Sequence, residues 1–295
     1  MKNYHAADIT EETLILGIRE YMKKCGFTKA HLGLSGGIDS ALVAYLAVKA
    51  AGAENIIGIS MPSRFSSRHS KVDAAQLAAN LGCLYETLPI EKCYKAFLST
   101  LEPVFENRPF DLAEENLQAR IRGVLLMAYS NKWNSMLFTT GNKSEIAMGY
   151  CTLYGDTNGS LAPIGDLYKT EVYTLCRRIN ERSIEAGGKA IIPQSTIDKP
   201  PSAELRPNQK DEDSLPPYDV LDAILRLYLD GKTARNEIVK QGWDKELVDK
   251  IIKTIKRNEF KRRQLAPVLA LPGSAGSTGK KTKIAAALPV YKTEY

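Results

Sequence analysis

Apolar positions along this chain recur in two registers, one of helical period and one of short unbroken runs. Leu14, Ile15, Ile18 and Met22 fall on one face of a helix across residues 11–24. After it, apolar runs that predict strands at residues 31–34, 56–60, 84–90 and 135–140 are interleaved with helical stretches at 41–51, 70–81, 91–101 and 114–131. A further helix is predicted over 169–180. Gly52 and Gly82 stand where helices end, as C-terminal caps do. Strands alternating with helices make βαβ units, so the pattern predicts an α/β fold, a parallel sheet flanked by helices. Ligands of such sheets collect at the carboxyl ends of strands, which brings the loop after the first strand and residues 140–145 after the fourth to one site.

The pattern changes after residue 190. Residues 191–217 hold many prolines and the charged run Lys210, Asp211, Glu212 and Asp213, which reads as a long mobile loop. Helical periodicity returns at 218–229, 233–241 and 245–258, punctuated by Gly231 and Gly242, and predicts a helical appendage. The expected organisation is one functional domain over 1–265, with its core at 14–185, the loop at 191–217 and the appendage at 218–265. An irregular tail rich in Gly, Ser, Lys and Pro follows at 266–295.

Composition narrows the function classes. At 295 residues and 44% hydrophobic, the chain can bury a substantial core. Its five cysteines show no C-x-x-C spacing, which argues against a disulfide framework and a zinc site and points to the cytoplasm. The three histidines, His5, His31 and His69, have no metal-like spacing. A polar N-terminus and the lack of a long apolar run argue against secretion and membrane spanning. The net charge of +6 is concentrated in residues 256–263 and 280–283. Such runs read as solvated surface rather than a nucleic-acid groove, and the bias also suits a small polyanionic ligand.

Candidate chemistry centres on Gly33, Leu34, Ser35, Gly36, Gly37, Ile38, Asp39 and Ser40. An apolar strand enters this stretch and an alanine-rich helix leaves it. At such a junction the free N–H groups and positive end of the helix meet a loop without bulky side chains, which makes an anion site. Ser35 and Ser40 add hydroxyls; an ordinary βα turn is the plainer reading. The Walker A pattern fails because Ile38 and Asp39 stand where its lysine belongs, and G-x-G-x-x-G fails at Ser35. Asp39 is unusual in a phosphate loop. It complements the helix dipole, and beside polyphosphate it makes sense if Mg²⁺ bridges the two.

Ser35-Gly36-Gly37-Ile38-Asp39-Ser40 resembles the SGGxDS loop of the ATP pyrophosphatases, which split ATP between its α- and β-phosphates. Later motifs, in order, resemble NAD synthetase: Glu115 to Arg122, Thr139 to Glu145, Tyr150 to Asp156, Leu161 to Thr170, Pro201 to Leu205 and Asn258 to Gln264. The resemblance implies a Rossmann-like sheet of the adenine nucleotide alpha hydrolase type. It also implies a reaction: the nicotinate carboxylate of deamido-NAD attacks the α-phosphorus of ATP, pyrophosphate leaves, and ammonia displaces AMP from the adenylated intermediate. Residues 33–40 would hold the ATP phosphates, with Asp39 on Mg²⁺. Thr140 and Lys169 would contact ATP, and Ser202 stands where the family has a Ser/Thr in a mobile covering loop. Asp39, Lys169 and Glu145 are the implied catalytic residues. A lysine at a helix start is unfavourable unless an anion lies there, which supports Lys169 over a solvated surface lysine. Glu145 matches a glutamate assigned to Mg²⁺ or to substrate; a surface acid in a first turn is its plainer reading. Asn116, Arg120 and Lys261 would touch deamido-NAD, with Arg122, two residues on and facing another way on the helix, as the alternative to Arg120.

The lysine and aspartate that ammonia-dependent bacterial members of the family carry for deamido-NAD are absent, since by ungapped counting Leu153 and Ser160 stand there. Tyr150 to Thr152 and Asn258 to Gln264 look like the synthetase domain of glutamine-dependent enzymes, yet only 34 residues precede Ser35 and no amidase triad is found. Free ammonia, or ammonia from a separate glutaminase, is the expected nitrogen source. A homodimer is expected, because the family's deamido-NAD site lies across a two-fold interface. A tRNA-modifying ligase lacks paired catalytic cysteines here, and a non-catalytic nucleotide module would not need Asp39, Glu145 and Lys169 together.

Overall fold

The computed structural model describes residues 6–271. His5 and the tail from residue 272, including the basic run at 280–283, lie outside the described residues. Four strands form one sheet in the order β3-β2-β1-β4: β1 (Ala30–Gly33), β2 (Ile56–Ser60), β3 (Leu84–Thr87) and β4 (Met136–Phe138). All pairings are parallel, with Leu32 opposite Gly58 on one side and Phe138 on the other. The chain winds outward from β1 to β3 and then returns to the far side of β1. The strand order therefore reverses between β1 and β4, and a crevice opens at the carboxyl ends of these two strands.

Helix α1 (Ala6–Lys24), α2 (Ile38–Ala51) and α7 (Lys169–Glu185) cover one face of the sheet. In α2, Ala41, Leu42, Val43, Ala44, Tyr45, Leu46 and Ala47 are all buried, because the helix is enclosed by the sheet, α1 and α7. Small residues at 41, 44 and 47 permit that close approach. Polar contacts pin α1 to this layer: Arg182 pairs with Glu11 at 2.5 Å and Asp8 at 3.1 Å, and Tyr45 donates to Glu11 at 2.7 Å. Between α2 and the crevice edge lie α3 (Arg68–Leu81), capped by Ser67 and closed by a left-handed Gly82, and α8 (Gln194–Asp198).

Helices α4 (Glu91–Phe105) and α5 (Leu112–Trp133) cover the other face, where Ile59, Tyr94, Ile121 and Leu137 pack together. His31 is wholly buried there, bonded to Ser135 Oγ and the Leu126 carbonyl at 2.9 Å each. Burial lowers its pKa, so it serves packing in the neutral form. After α6 (Lys143–Met148), the appendage comprises α9 (Tyr218–Leu225), a π-helical turn (Arg226–Asp230), α10 (Arg235–Lys240), α11 (Lys245–Arg257) and α12 (Glu259–Arg262). Its own apolar cluster, with Leu221, Ile224, Leu229, Ile238, Val248 and Ile251, extends onto Ala147, Met148 and Tyr168. Residues 266–271 return to the main body, where Ala162 bridges Val268 and the Leu271 N–H reaches Asp166.

Several elements differ from the sequence expectation. The third strand stops at Thr87, because β3 is an exposed edge paired with β2 alone. Within 191–217 Thr196 and Ile197 are buried and build α8. Helix α9 ends at Leu225, where the wider π turn swings Asp230 back onto the core. Among the described residues no helix is long and apolar enough to cross a membrane.

The segment after α6 presses on α5 so tightly that a Cβ at Gly123 would lie 2.7 Å from the Tyr154 carbonyl oxygen and 2.5 Å from Asn158. Gly123→Ala gains about 1 kcal/mol of helix propensity but forces the backbone apart, so a net loss of about 1–2 kcal/mol is expected in urea denaturation. Unchanged or raised stability would contradict this packing.

Candidate active site

The crevice holds a cavity of about 290 Å³ lined by the β1–α2 loop, the strand ends of β2 and β4, α5, and residues 199–205 and 211. The loop adopts its shape for local reasons. Gly36 has φ +81°, and a Cβ there would lie 2.1 Å from the Ser70 carbonyl oxygen, so only glycine fits. Ser40 Oγ donates to the Gly37 carbonyl at 2.9 Å and pairs with Ser35 Oγ at 3.1 Å, closing the turn. Gly37 caps α2 without a side chain, so the first N–H groups of the helix have no side-chain acceptor. The loop thus presents donors to an anion. Gly33, Leu34, Ser35, Gly37, Ile38, Asp39 and Ser40 line the cavity, while Gly36 is packed behind it against α3.

Across the crevice, Asn142 caps α6 by accepting from the Glu145 N–H at 3.0 Å, and its Nδ2 donates to Asp39 at 2.9 Å. Lys169, at the start of α7 and 2% exposed, inserts its ammonium between two acids, donating to Asp39 at 2.5 Å and Glu145 at 3.3 Å. Asp211 adds a third carboxylate nearby, held by the hydroxyls of Tyr218 at 2.9 Å and Tyr150 at 3.2 Å. The Lys169 ammonium also lies 5.2 Å above the Tyr218 ring. Burial alone would lower the lysine pKa, but Asp39 and Glu145 overcome it and hold it above the ordinary value. Burial pushes the Glu145 carboxyl up to about 8 and holds Asp211 above the ordinary carboxylate range, and Lys169 offsets this only in part. One ammonium therefore faces three acids. Three carboxyls around one ammonium beside a phosphate loop fit a divalent cation, whose charge would draw them into the ionised form as it bridges to an anionic ligand. Among the described residues no cluster of three or more His, Cys, Asp or Glu could hold a metal by itself. Mg²⁺ suits such a place, because it takes one or two carboxylates and completes its shell with phosphate and water.

Residues 199–206 lie across the mouth. Lys199 donates to the Gly36 carbonyl at 3.1 Å and Ser70 Oγ at 2.8 Å, and Glu204 accepts from Ser70 Oγ at 2.6 Å and the Ser67 N–H at 3.2 Å. Gln118 donates to the Leu205 carbonyl at 2.8 Å. Ser202 and Thr140 both line the cavity, and Ser202 Oγ is engaged with the Gln209 carbonyl.

Of the residues expected at deamido-NAD, Glu145 lines the cavity and the other three do not. Asn116 accepts from Thr152 at 2.7 Å, Arg120 donates to the Leu153 carbonyl at 3.2 Å, and Lys261 donates to the Gly149 and Cys151 carbonyls at 2.8 and 2.7 Å. They gather instead around residues 149–153. Arg122, rather than Arg120, enters the cavity, fixed by its Nε on the Met61 carbonyl at 3.0 Å. Burial pushes its guanidinium down to about 10, against the pull of Glu204 and Asp156. Asp156, Lys199, Glu204 and Asp211 were not singled out from the sequence. Asp211 was hidden in a charged run, and its signal was the flanking prolines and tyrosine that fold the run inward.

A parallel sheet with a glycine-serine loop at its switch point, an acid in that loop and a buried lysine opposite define a nucleotide-binding protein of the ATP pyrophosphatase type. The family described as NAD synthase matches residues 10–265, and the chain belongs to that family. It is 52% identical over 276 residues to the glutamine-dependent NAD(+) synthetase of Synechocystis, covering 94% of this chain and 48% of that protein. The structure of glutamine-dependent NAD+ synthetase from Acinetobacter baumannii in complex with ADP aligns at TM-score 0.66 and 40% identity, over 95% of this chain and 50% of that one. NH3-dependent NAD synthetase from Campylobacter jejuni aligns at TM-score 0.69 and 29% identity, over 88% and 96%. The chain thus spans about half the length of its glutamine-dependent relatives.

Asp156 lines the cavity and is exposed to it, yet the walls around it push its carboxyl up to about 6 although the Thr152 N–H donates to it at 2.6 Å. A carboxyl raised above its unfolded value stabilises the fold when protonated, and that contribution is lost as pH rises through the folded pKa. Asp156→Asn should therefore gain stability relative to the parent between pH 4 and pH 7. Denaturation curves of both proteins across this range test it, and a constant difference would contradict the assignment.

Proposed function

We propose that the chain makes NAD from deamido-NAD, ATP and ammonia, releasing AMP and pyrophosphate. The observation that carries the reading is the convergence of the phosphate loop, Asp39, Glu145 and Lys169 on one covered cavity. A carboxylate is a poor acyl donor because oxide would have to leave; adenylation substitutes a stable phosphate as leaving group. The α2 N–H groups, Ser35 and Ser40 hold the ATP phosphates, and Thr140 and Ser202 contact the nucleotide. Lys169 neutralises charge where pyrophosphate departs. Asp39 and Glu145 would hold Mg²⁺, which would supply Lewis-acid stabilisation of phosphoryl oxygens. Positioning and charge neutralisation are the main needs of such a transfer. Residues 199–206 keep water from the adenylated intermediate. Asn116, Arg120 and Lys261 meet deamido-NAD on the outer side of residues 149–153, beside the exposed Leu112, Val124 and Met127 of α5. These exposed apolar side chains, interleaved with Asn116 and Arg120, support a homodimer with the substrate at its interface.

The nitrogen source has a second reading. The likeness over 88% of this chain and 96% of an NH3-dependent enzyme supports free ammonia. The likeness to half of longer glutamine-dependent relatives supports ammonia passed from a glutaminase domain or partner.

Pyrophosphate and NAD are expected from the purified chain with ATP, Mg²⁺, deamido-NAD and ammonium. Pyrophosphate release that ignores deamido-NAD would defeat the proposal, and glutamine serving as well as ammonium would overturn the choice of free ammonia. Asp39→Asn should cut turnover by about 100-fold or more while circular dichroism shows the fold retained. Sedimentation should give a dimer, and a fully active monomer would exclude the shared interface.

A further inference from the structure

The start of α7 is an unfavourable place for Lys169. The first N–H groups of a helix carry positive charge, and a cation beside them adds to it. Tyr168, at the capping position, makes no side-chain hydrogen bond to this end. Glu171, in the first turn of α7, accepts from the Tyr168 N–H at 2.8 Å, and the acceptors for the next N–H groups come from α6 and the appendage. Asp222, in α9 and 1% exposed, accepts from the Thr170 N–H at 2.9 Å through one carboxylate oxygen and from Ser144 Oγ at 2.5 Å through the other. Ser144 Oγ accepts in turn from the Lys169 N–H at 3.0 Å. Ser144 is wholly buried and sits next to Glu145 in α6. One buried carboxylate thus fastens the helix that carries Glu145 to the helix that carries Lys169, and adds to the negative charge that Glu171 places at the start of α7.

We propose that Asp222 is a positioning residue: from the helical appendage it caps α7 directly and through Ser144, and so sets Lys169 and Glu145 in register opposite Asp39. It touches no reacting atom; it acts through the two helix starts. The appendage is on this account part of the catalytic machinery. The inference rests on the proposed reaction for its kinetic reading, and nucleotide binding gives it a separate one.

Asp222→Asn removes the charge and keeps one acceptor, and Ser144→Ala removes only the relay. A displacement of about an ångström in the catalytic groups can cost up to ~100-fold, so Asp222→Asn is expected to lower kcat about tenfold with KM for deamido-NAD within about twofold, and Ser144→Ala to lower kcat several-fold. The affinity for Mg·ATP, read by calorimetry on the same proteins, should fall about threefold with Asp222→Asn. Ile238→Ala, which loosens the apolar core of the appendage without removing any of these hydrogen bonds, is the control for stability. Equal loss of kcat in Ile238→Ala at matched stability, or kcat within twofold of the parent in Asp222→Asn, would overturn the proposal. If Asp222→Asn does not fold, Ser144→Ala decides by the same criteria. A parent protein without deamido-NAD-dependent pyrophosphate release sinks the reaction alone, and unchanged Mg·ATP affinity in both variants then sinks the positioning role.

Discussion

The Lys169 ammonium, enclosed between Asp39 and Glu145, is the interaction around which the molecule is arranged. Burying a charge is costly unless it is paired and hydrogen-bonded, and removing one partner of such a group typically costs about 3–5 kcal/mol. Each partner arrives on a different element: Asp39 on the first turn of α2, Glu145 on the short α6, the lysine at the start of α7. Their meeting fixes three helix starts against one another at the carboxyl edge of the sheet. Asp211 adds a third carboxyl, and burial holds it and Glu145 above their ordinary range, so a cation with a phosphate chain would complete the site by drawing these groups into their charged form.

The sheet makes this meeting possible. Reversal of strand order between β1 and β4 opens the crevice into which the phosphate loop and residues 139–145 both face. Close contacts then set the walls: Gly36 against Ser70 brings α3 to the loop, and Gly123 and Gly155 bring α5 against the segment that carries Asp156. From the far side the appendage supplies Tyr218 beneath the lysine, Asp222 at the end of α7, and Asp230, which meets Lys143 at 2.9 Å and the Tyr168 hydroxyl at 2.9 Å.

Much of this was legible in the sequence. The four strands, their order along the chain and the helices between them follow from the alternation of apolar runs and helical faces, and the phosphate loop from its glycines and its acid. The family followed from a set of motifs in order. Less legible was anything that depends on distant residues meeting. Asp211 reads as one of four charges in a polar run, yet it is 4% exposed because two tyrosines draw it in. Arg120 and Arg122 look alike in sequence, and which enters the cavity depends on the phase of α5 against residues 153–156. The short α8 and the π turn after α9 were missed because burial, not local propensity, decides them.

The central claim is that the nicotinate carboxylate attacks ATP at its α-phosphorus in this crevice. Deamido-NAD labelled with oxygen-18 in that carboxylate tests it most directly, with the product AMP read by phosphorus NMR. The account predicts one labelled oxygen in the AMP phosphate and the other in the amide carbonyl of NAD. Unlabelled AMP, or label in pyrophosphate, would contradict it.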